Sequence, residues 1–277
     1  MAVADLMVLI FEVILSEMAG AYYPYSFLNL YHICKLRILF NCISIDCSVW
    51  LTVTFTFDRF VTICNQSLRV KYCTEKTAAV VITVTCILSI IQNIPVYIFL
   101  VPLYIIDNVA WYCWVPTDVY ATPIGAALSV METIVTPVIP MLLIILLNAL
   151  TIKHIIHSNR VRSGLRRDNK AGSGADQEVE NRRKSIILLL AISGNFVLLW
   201  MVTFVCFMSV NFLDVHLLGS DYNDPFTIAE LSGYMLRAVS ACTNTFIYGV
   251  SQNKFREEFK NVIKSPFVLL FKSIKCL

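Results

Sequence analysis

Residues Ser48–Phe60 read SVWLTVTFTFDRF, a run that carries no charge until Asp58 and Arg59 at its end. It belongs to a longer, mainly apolar stretch, Cys34–Ile63, which exceeds the roughly 20 residues that a helix needs to cross a bilayer. Two interpretations of Arg59 remain open. It anchors the helix end at the membrane surface, or it is a switch that leaves Asp58 to meet a partner's helix. The stretch predicts a transmembrane helix in either case.

The composition agrees with a membrane protein. Of the 277 residues, 57% are hydrophobic and 15% charged, and the mean hydropathy is +0.70. Soluble domains have roughly 45–50% apolar and about 25% charged residues. Because a fold of this length has no interior large enough for the excess, apolar surface must face lipid.

The apolar stretches predict an all-α, multi-span transmembrane helix bundle. The first one is short and carries Asp5, Glu12 and Glu17. Residues 251–277 form an amphipathic pattern with basic residues, which predicts a helix on the cytoplasmic membrane surface and a tail. The predicted spans are 1–19, 34–63, 77–101, 122–152, 185–213 and 227–250.

The loops indicate the orientation. Nine Lys or Arg residues lie between Lys153 and Lys184, whereas 102–121 and 214–226 contain none. By the positive-inside rule the basic loops and the C-terminus are cytoplasmic, which predicts a multi-pass plasma-membrane protein. Within the basic loop, 163–181 is polar and predicts a flexible segment.

Several polar residues fall in informative places. Asp5, Ser48 and Asn244 lie within predicted spans; together their oxygens suit a hard cation such as Na⁺, whereas apart they would each make local hydrogen bonds. Cys34 and Cys113 both lie on the predicted extracellular side, where an oxidising environment favours a disulfide.

The motifs of common enzymes are missing from the sequence. It contains no His-Glu-x-x-His, no Gly-rich phosphate loop and no supported Ser-His-Asp set, so we expect neither an enzyme nor a nucleic-acid-binding protein. A transporter or channel subunit would need charged residues on several spans, and only Asp5 stands out as deep.

Taken in order, the motifs resemble those of rhodopsin-like G-protein-coupled receptors. Cys34 precedes Arg59 by 25 residues, the spacing in that family between the disulfide cysteine and the motif arginine. The segments that carry the resemblance are AVAD (Ala2–Asp5), SVWLTVTFTFDRF (Ser48–Phe60), FVLLW (Phe196–Trp200) and NTFIY (Asn244–Tyr248).

The resemblance implies roles for these residues. Asp58, Arg59, Phe60, Asn244 and Tyr248 would form the activation switch that meets a heterotrimeric G protein, with arrestin as a further partner. Phe196 and Trp200 would form a packing relay beneath the ligand, and Asp5, Ser48 and Asn244 an allosteric Na⁺ pocket. The small-molecule ligand pocket would be lined by Asn41, Ile45, Trp200, Thr203 and Tyr234. Apart from the resemblance, Cys276 near the end of the predicted surface helix and tail is either a palmitoylation site or a plain free thiol.

A narrower resemblance concerns the orphan receptors that respond to tryptophan and phenylalanine and couple mainly to Gq/11-type proteins. It rests on DCSVWLTV, KYCTEKTAA, LLNALT, ENRRKSI and QNKFREEFKN. Thr245 and Val202 stand where the family usually has proline, and Asn41 where amine receptors carry aspartate. The family's first helix and part of its second have no counterpart before Met1, so a non-signalling receptor fragment is the alternative expectation.

Overall fold

The computed structural model describes residues 1–165, 173–212, 223–251 and 257, and almost all of them are helical. The prediction of an all-α bundle is therefore confirmed. The predicted surface helix and tail at 251–277, including Cys276, lie almost wholly outside the described residues.

The first half of the chain contains four helices and a hairpin. Helix α1 has three consecutive parts, of which the central one is π-helical. Side-chain caps start two later helices: Asn65 Oδ1 accepts from the Leu68 amide at 3.1 Å, and Thr74 Oγ1 from the Thr77 amide at 3.2 Å. The elements are α1 (Ala2–Val8, π-helical Leu9–Met18, Ala19–Tyr22), a 3-10 turn (Phe27–Asn29), α2 (Tyr31–Cys64), α3 (Gln66–Tyr72), α4 (Glu75–Phe99), β1 (Tyr104–Ile106) and β2 (Val109–Trp111).

The described part of the second half contains a short helix followed by three long ones. Helix α6 contains a π-helical turn around Pro137, which cannot donate the backbone bond of a regular helix. The elements are α5 (Thr117–Ala121), α6 (Pro123–Thr133, π-helical Ile134–Val138, Ile139–Leu165), α7 (Ser173–Phe212) and α8 (Pro225–Ser251).

Four helices of the described chain are long and apolar enough to cross a membrane: Tyr31–Cys64, Glu75–Phe99, Pro123–Ser158 and Ile186–Ser209. They contain or overlap the predicted spans 34–63, 77–101, 122–152 and 185–213. Helices α1 and α8 occupy the predicted spans 1–19 and 227–250, and their crossing stays a prediction.

The outer surface of the bundle is apolar, as in proteins whose helices face lipid. Helix α4 is strongly apolar, yet only 11% of its most apolar window is buried; Val80, Leu88 and Ile98 are each at least 59% exposed. A water-soluble protein would bury such a helix. The inner core joins α1, α2, α6, α7 and α8 through Val8, Ile45, Val49, Val53, Ile144, Phe196, Trp200 and Ala241.

The described parts of the polar segment 163–181, residues 163–165 and 173–181, are helical. Helix α6 continues to Leu165 and α7 begins at Ser173, so the prediction of a loop across this whole segment is wrong. The stretch from Ala175 to Lys184 is rich in Glu, Gln, Arg and Lys, which are good helix formers even where no apolar face is present.

Candidate functional site

A stacked aromatic pair lies at the centre of the bundle. The Phe196 and Trp200 rings are 5.1 Å apart at an interplanar angle of 25°. Their spacing of four residues puts both on one face of α7, and Trp200 is only 5% exposed. Because lipid-facing tryptophans favour helix ends, this mid-helix position is explained by packing inside the bundle.

A buried ion pair links α1 and α8 beside this tryptophan. Arg237 Nη2 on α8 donates to Glu12 Oε1 on α1 at 2.5 Å, and both side chains are less than 10% exposed. The guanidinium carbon lies 5.9 Å from the Trp200 ring centre and 4.7 Å from that of Tyr234. The core therefore contains a cation held against two aromatic rings and one carboxylate.

The predicted cation-pocket residues meet in the same region. Ser48 Oγ donates to Asp5 Oδ1 at 2.5 Å, and Asp5 is fully buried. Ser48 and Asn244 line a small cavity of about 10 Å³ together with Trp200 and Arg237, about the space of a single water molecule; we call it the central cavity. Asp5 Oδ2 and Asn244 Oδ1 are buried without a hydrogen-bond donor in the described structure. Two unpaired oxygens and a hydroxyl fit a hard monovalent cation.

The predicted ligand-pocket residues do not all face one space. Ile45 and Trp200 line the central cavity, whereas Thr203 Oγ1 donates to the Gly233 carbonyl at 3.2 Å across the α7–α8 contact. The Tyr234 hydroxyl donates to Glu230 Oε1 at 2.5 Å. Asn41 keeps a buried Oδ1 for which the described residues supply no donor.

The predicted switch lies near the far end of α2. Arg59 Nε is 3.6 Å from Asp58 Oδ2, and the two side chains are 31% and 40% exposed. The guanidinium also lies over the Phe55 ring at 5.1 Å. Phe60 follows on the same helix and is partly buried, while the side chain of Tyr248 lies outside the described part of the chain.

The predicted disulfide is present. Cys34 at the start of α2 is bonded to Cys113, just after the β1–β2 hairpin. The hairpin turns at Asp107 and Asn108, whose φ values of 49° and 60° suit the two-residue turn of a twisted hairpin. The Tyr112 hydroxyl donates to the Pro24 carbonyl at 2.7 Å, so the loop is tied to the end of α1 as well.

A second polar cluster was not expected from the sequence. Asp46 on α2 accepts from Asn93 Nδ2 on α4 at 2.6 Å and from Thr136 Oγ1 on α6 at 2.8 Å. Asp46, Glu12 and Arg237 are all buried, so the reading of Asp5 as the one deep charge was wrong. The sequence did offer a signal for this pair. Glu12 and Arg237 carry opposite charges in two different predicted spans, and a charged side chain inside a membrane needs a partner.

The helical bundle, its apolar outer surface and its buried polar centre define a multi-pass membrane protein. The family model described as 7 transmembrane receptor (rhodopsin family) matches residues 1–248, and a comparison with curated proteins finds no significant match. The chain belongs to the rhodopsin family of seven-transmembrane receptors, which signal through G proteins.

Proposed function

We propose that the protein converts the binding of an extracellular small molecule, an aromatic amino acid, into activation of a Gq/11-type G protein at the plasma membrane. The observation that carries the proposal is the position of Trp200. It stacks on Phe196, borders the central cavity and lies beside the buried Arg237 guanidinium. A ligand that moves this tryptophan changes the packing of α7 against its neighbours, and such packing has discrete alternatives.

The surroundings of Arg237 support an amino-acid ligand. Its Nε is buried with no partner in the described residues, and the Tyr234 and Trp200 rings flank it. A carboxylate forms strong paired hydrogen bonds with guanidinium, and an aromatic side chain packs well against such rings. Asn41, Ile45 and Thr203 would complete the pocket on α2 and α7.

The Asp58–Arg59 end supports coupling to a cytoplasmic partner. The two charges are partly exposed and 3.6 Å apart, and an exposed pair of this kind contributes only about 0–1 kcal/mol. Arg59 therefore leaves Asp58 at little cost and becomes available to a G-protein helix or to arrestin. In this proposal the C-terminus is cytoplasmic, Phe60, Tyr248 and Asn244 complete the switch, and Cys276 is the palmitoylation site.

Sodium is the third part of the proposal. Asp5, Ser48 and Asn244 would hold Na⁺ in the central cavity. Such an ion would stabilise the arrangement in which α1, α2 and α8 are close together, because it balances the negative charge of the Asp5 carboxylate. A ligand that favours another arrangement competes with it.

The test is G-protein activation in cells that express the chain, measured separately for Gq, Gi, Gs and G12 types with tryptophan and phenylalanine as probes. We expect a Gq signal that Arg59→Ala lowers by about tenfold or more. Arg69→Ala is the matched control, because Arg69 is an exposed arginine on the neighbouring helix α3 and should leave the signal unchanged.

Surface expression of each variant is measured alongside the signal. A chain that reaches the surface and gives no signal with any G-protein type would contradict the proposal as a whole. A signal through another G-protein type would contradict only the Gq assignment. A response that is equal in Arg59→Ala and the native chain would contradict the switch.

A further inference from the structure

Two free cysteines meet where α2 contacts α4. The Cys47 thiol donates to Cys86 Sγ at a sulfur–sulfur distance of 3.9 Å, although the two residues are 39 positions apart in the sequence. Each lies near the middle of a helix that is long and apolar enough to cross a membrane. A disulfide holds its sulfurs at about 2.05 Å, so these two thiols are in contact and not bonded.

The two thiols differ in their access to the membrane. Cys47 is buried, whereas Cys86 is partly exposed. One turn before and one turn after Cys86, Ile82 and Ile90 are each 47% exposed, and residues four apart lie on one face of a helix. Cys86 therefore borders the lipid-facing side of α4. A reagent that approaches from the bilayer meets Cys86 first and finds Cys47 behind it.

The hydrogen bonds around the pair give the two sulfurs different roles. The Cys86 sulfur accepts from the Cys47 thiol, while the buried Ser89 hydroxyl donates to the Cys47 sulfur. A donor stabilises the anionic form of the sulfur that accepts from it, and the thiolate is the reactive form of cysteine. The arrangement therefore suits Cys86 as the first nucleophile. Cys47, already directed at that sulfur, is placed to react second.

We propose that Cys47 and Cys86 form a dithiol site that a hydroperoxide, R–O–OH, oxidises to a disulfide between α2 and α4. In the first step the Cys86 sulfur attacks the outer peroxide oxygen. An S–O bond forms, the O–O bond breaks, and the thiol proton leaves with RO⁻ as the alcohol ROH. In the second step the Cys47 sulfur attacks the sulfenic acid on Cys86. The S–S bond forms, the S–O bond breaks, and hydroxide leaves with the Cys47 proton as water. The two sulfurs lose the two electrons that the peroxide bond gains.

The product would strengthen a helix contact that already exists. Cys47 directly follows Asp46, whose carboxylate accepts from Asn93 Nδ2 on α4 at 2.6 Å. A disulfide would add a covalent bond to this polar contact and limit the separation of α2 from α4. It carries no charge, so its formation inside the membrane avoids the cost of a buried ion.

The test uses the purified full chain, one copy per lipid nanodisc, with hydrogen peroxide in the buffer or phosphatidylcholine hydroperoxide in the bilayer. Free thiols are then alkylated and assigned by peptide mass spectrometry. We expect Cys47 and Cys86 to lose their free thiols together and to appear as one cross-linked peptide, which dithiothreitol separates. The reagent that acts at the lower dose identifies the source of the peroxide, water or lipid. Cys242, an exposed cysteine on α8, is the internal control and should enter no disulfide.

Two single variants separate the roles of the two thiols. Cys47→Ala should stop the reaction at the Cys86 sulfenic acid, which dimedone traps. Cys86→Ala should leave Cys47 free to be alkylated and without a dimedone adduct. A native chain that forms no cross-link with either reagent would overturn the proposal, as would a dimedone adduct on Cys47 in place of Cys86. None of these readouts involves a G protein, so failure of the signalling proposal is recognised separately.

Discussion

Two buried acids in the bundle, Glu12 and Asp46, are stabilised in different ways. Glu12 faces a full positive charge, Arg237, at 2.5 Å, whereas Asp46 is held by an amide and a hydroxyl. Removing one partner of an ion pair leaves a bare charge, while removing one neutral donor leaves most of the environment intact. Removing one partner should therefore destabilise the protein more at the α1–α8 ion pair than at the α2–α4–α6 cluster.

The largest effect is expected for Arg237→Met. Methionine keeps much of the volume but leaves the Glu12 carboxylate buried and unpaired, which should lower the free energy of unfolding by about 3–5 kcal/mol. Thermal unfolding in detergent, followed by tryptophan fluorescence, measures the loss. The double variant Glu12→Met with Arg237→Met should recover most of it. A loss below about 1 kcal/mol in the single variant would mean that the pair is not buried as described.

A smaller effect is expected for Asp46→Ala. Asn93 and Thr136 lose their acceptor, and unpaired buried donors should lower the free energy of unfolding by about 1–3 kcal/mol. Asp46→Asn keeps an acceptor oxygen and should lose less. The same unfolding assay applies, with Asp118→Ala on the exposed surface of α5 as control. A loss larger than that of Arg237→Met would reverse the comparison.

The smallest effect is expected for Thr136→Val. It removes one of the two donors to Asp46 at nearly constant volume, so the free energy of unfolding should fall by about 1 kcal/mol. Thr83→Val is the matched control, since the Thr83 hydroxyl is exposed and donates to the Ala79 carbonyl of its own helix. If both valine variants unfold at the same temperature, the Thr136–Asp46 bond contributes nothing measurable.

The helices were predictable because apolar length is a local property. Spans 34–63 and 77–101 fall within three residues of α2 and α4 at both ends. The Cys34–Cys113 bond was also predictable, since the orientation of the loops put both cysteines on one side of the membrane. The π-helical turns in α1 and α6 were not, because they depend on how neighbouring helices accommodate Pro137 and the inward-facing carboxylates.

The partners of buried polar residues were harder to predict. Ser48 and Asp5 were grouped because both are polar residues within predicted spans, and the resemblance gave them the same grouping; in the structure Ser48 Oγ lies 2.5 Å from Asp5 Oδ1. Glu12 and Arg237 are 225 residues apart, and no spacing rule connects two residues on different helices. Helices that are apolar on nearly every face give no sign of which side is inward. The rotation of each helix, and so the pairing of its charges, depends on packing.

The Cys34–Cys113 bond can form only after a delay during synthesis of the chain. Chains are synthesised at about 5–20 residues per second, so the 79 residues between the two cysteines take roughly 4–16 s to follow. During that interval Cys34 has been synthesised and its partner does not yet exist. A reductant that is present when Cys113 is made would therefore leave the hairpin detached, whereas the same reductant added after closure meets a disulfide whose Cys34 is already buried.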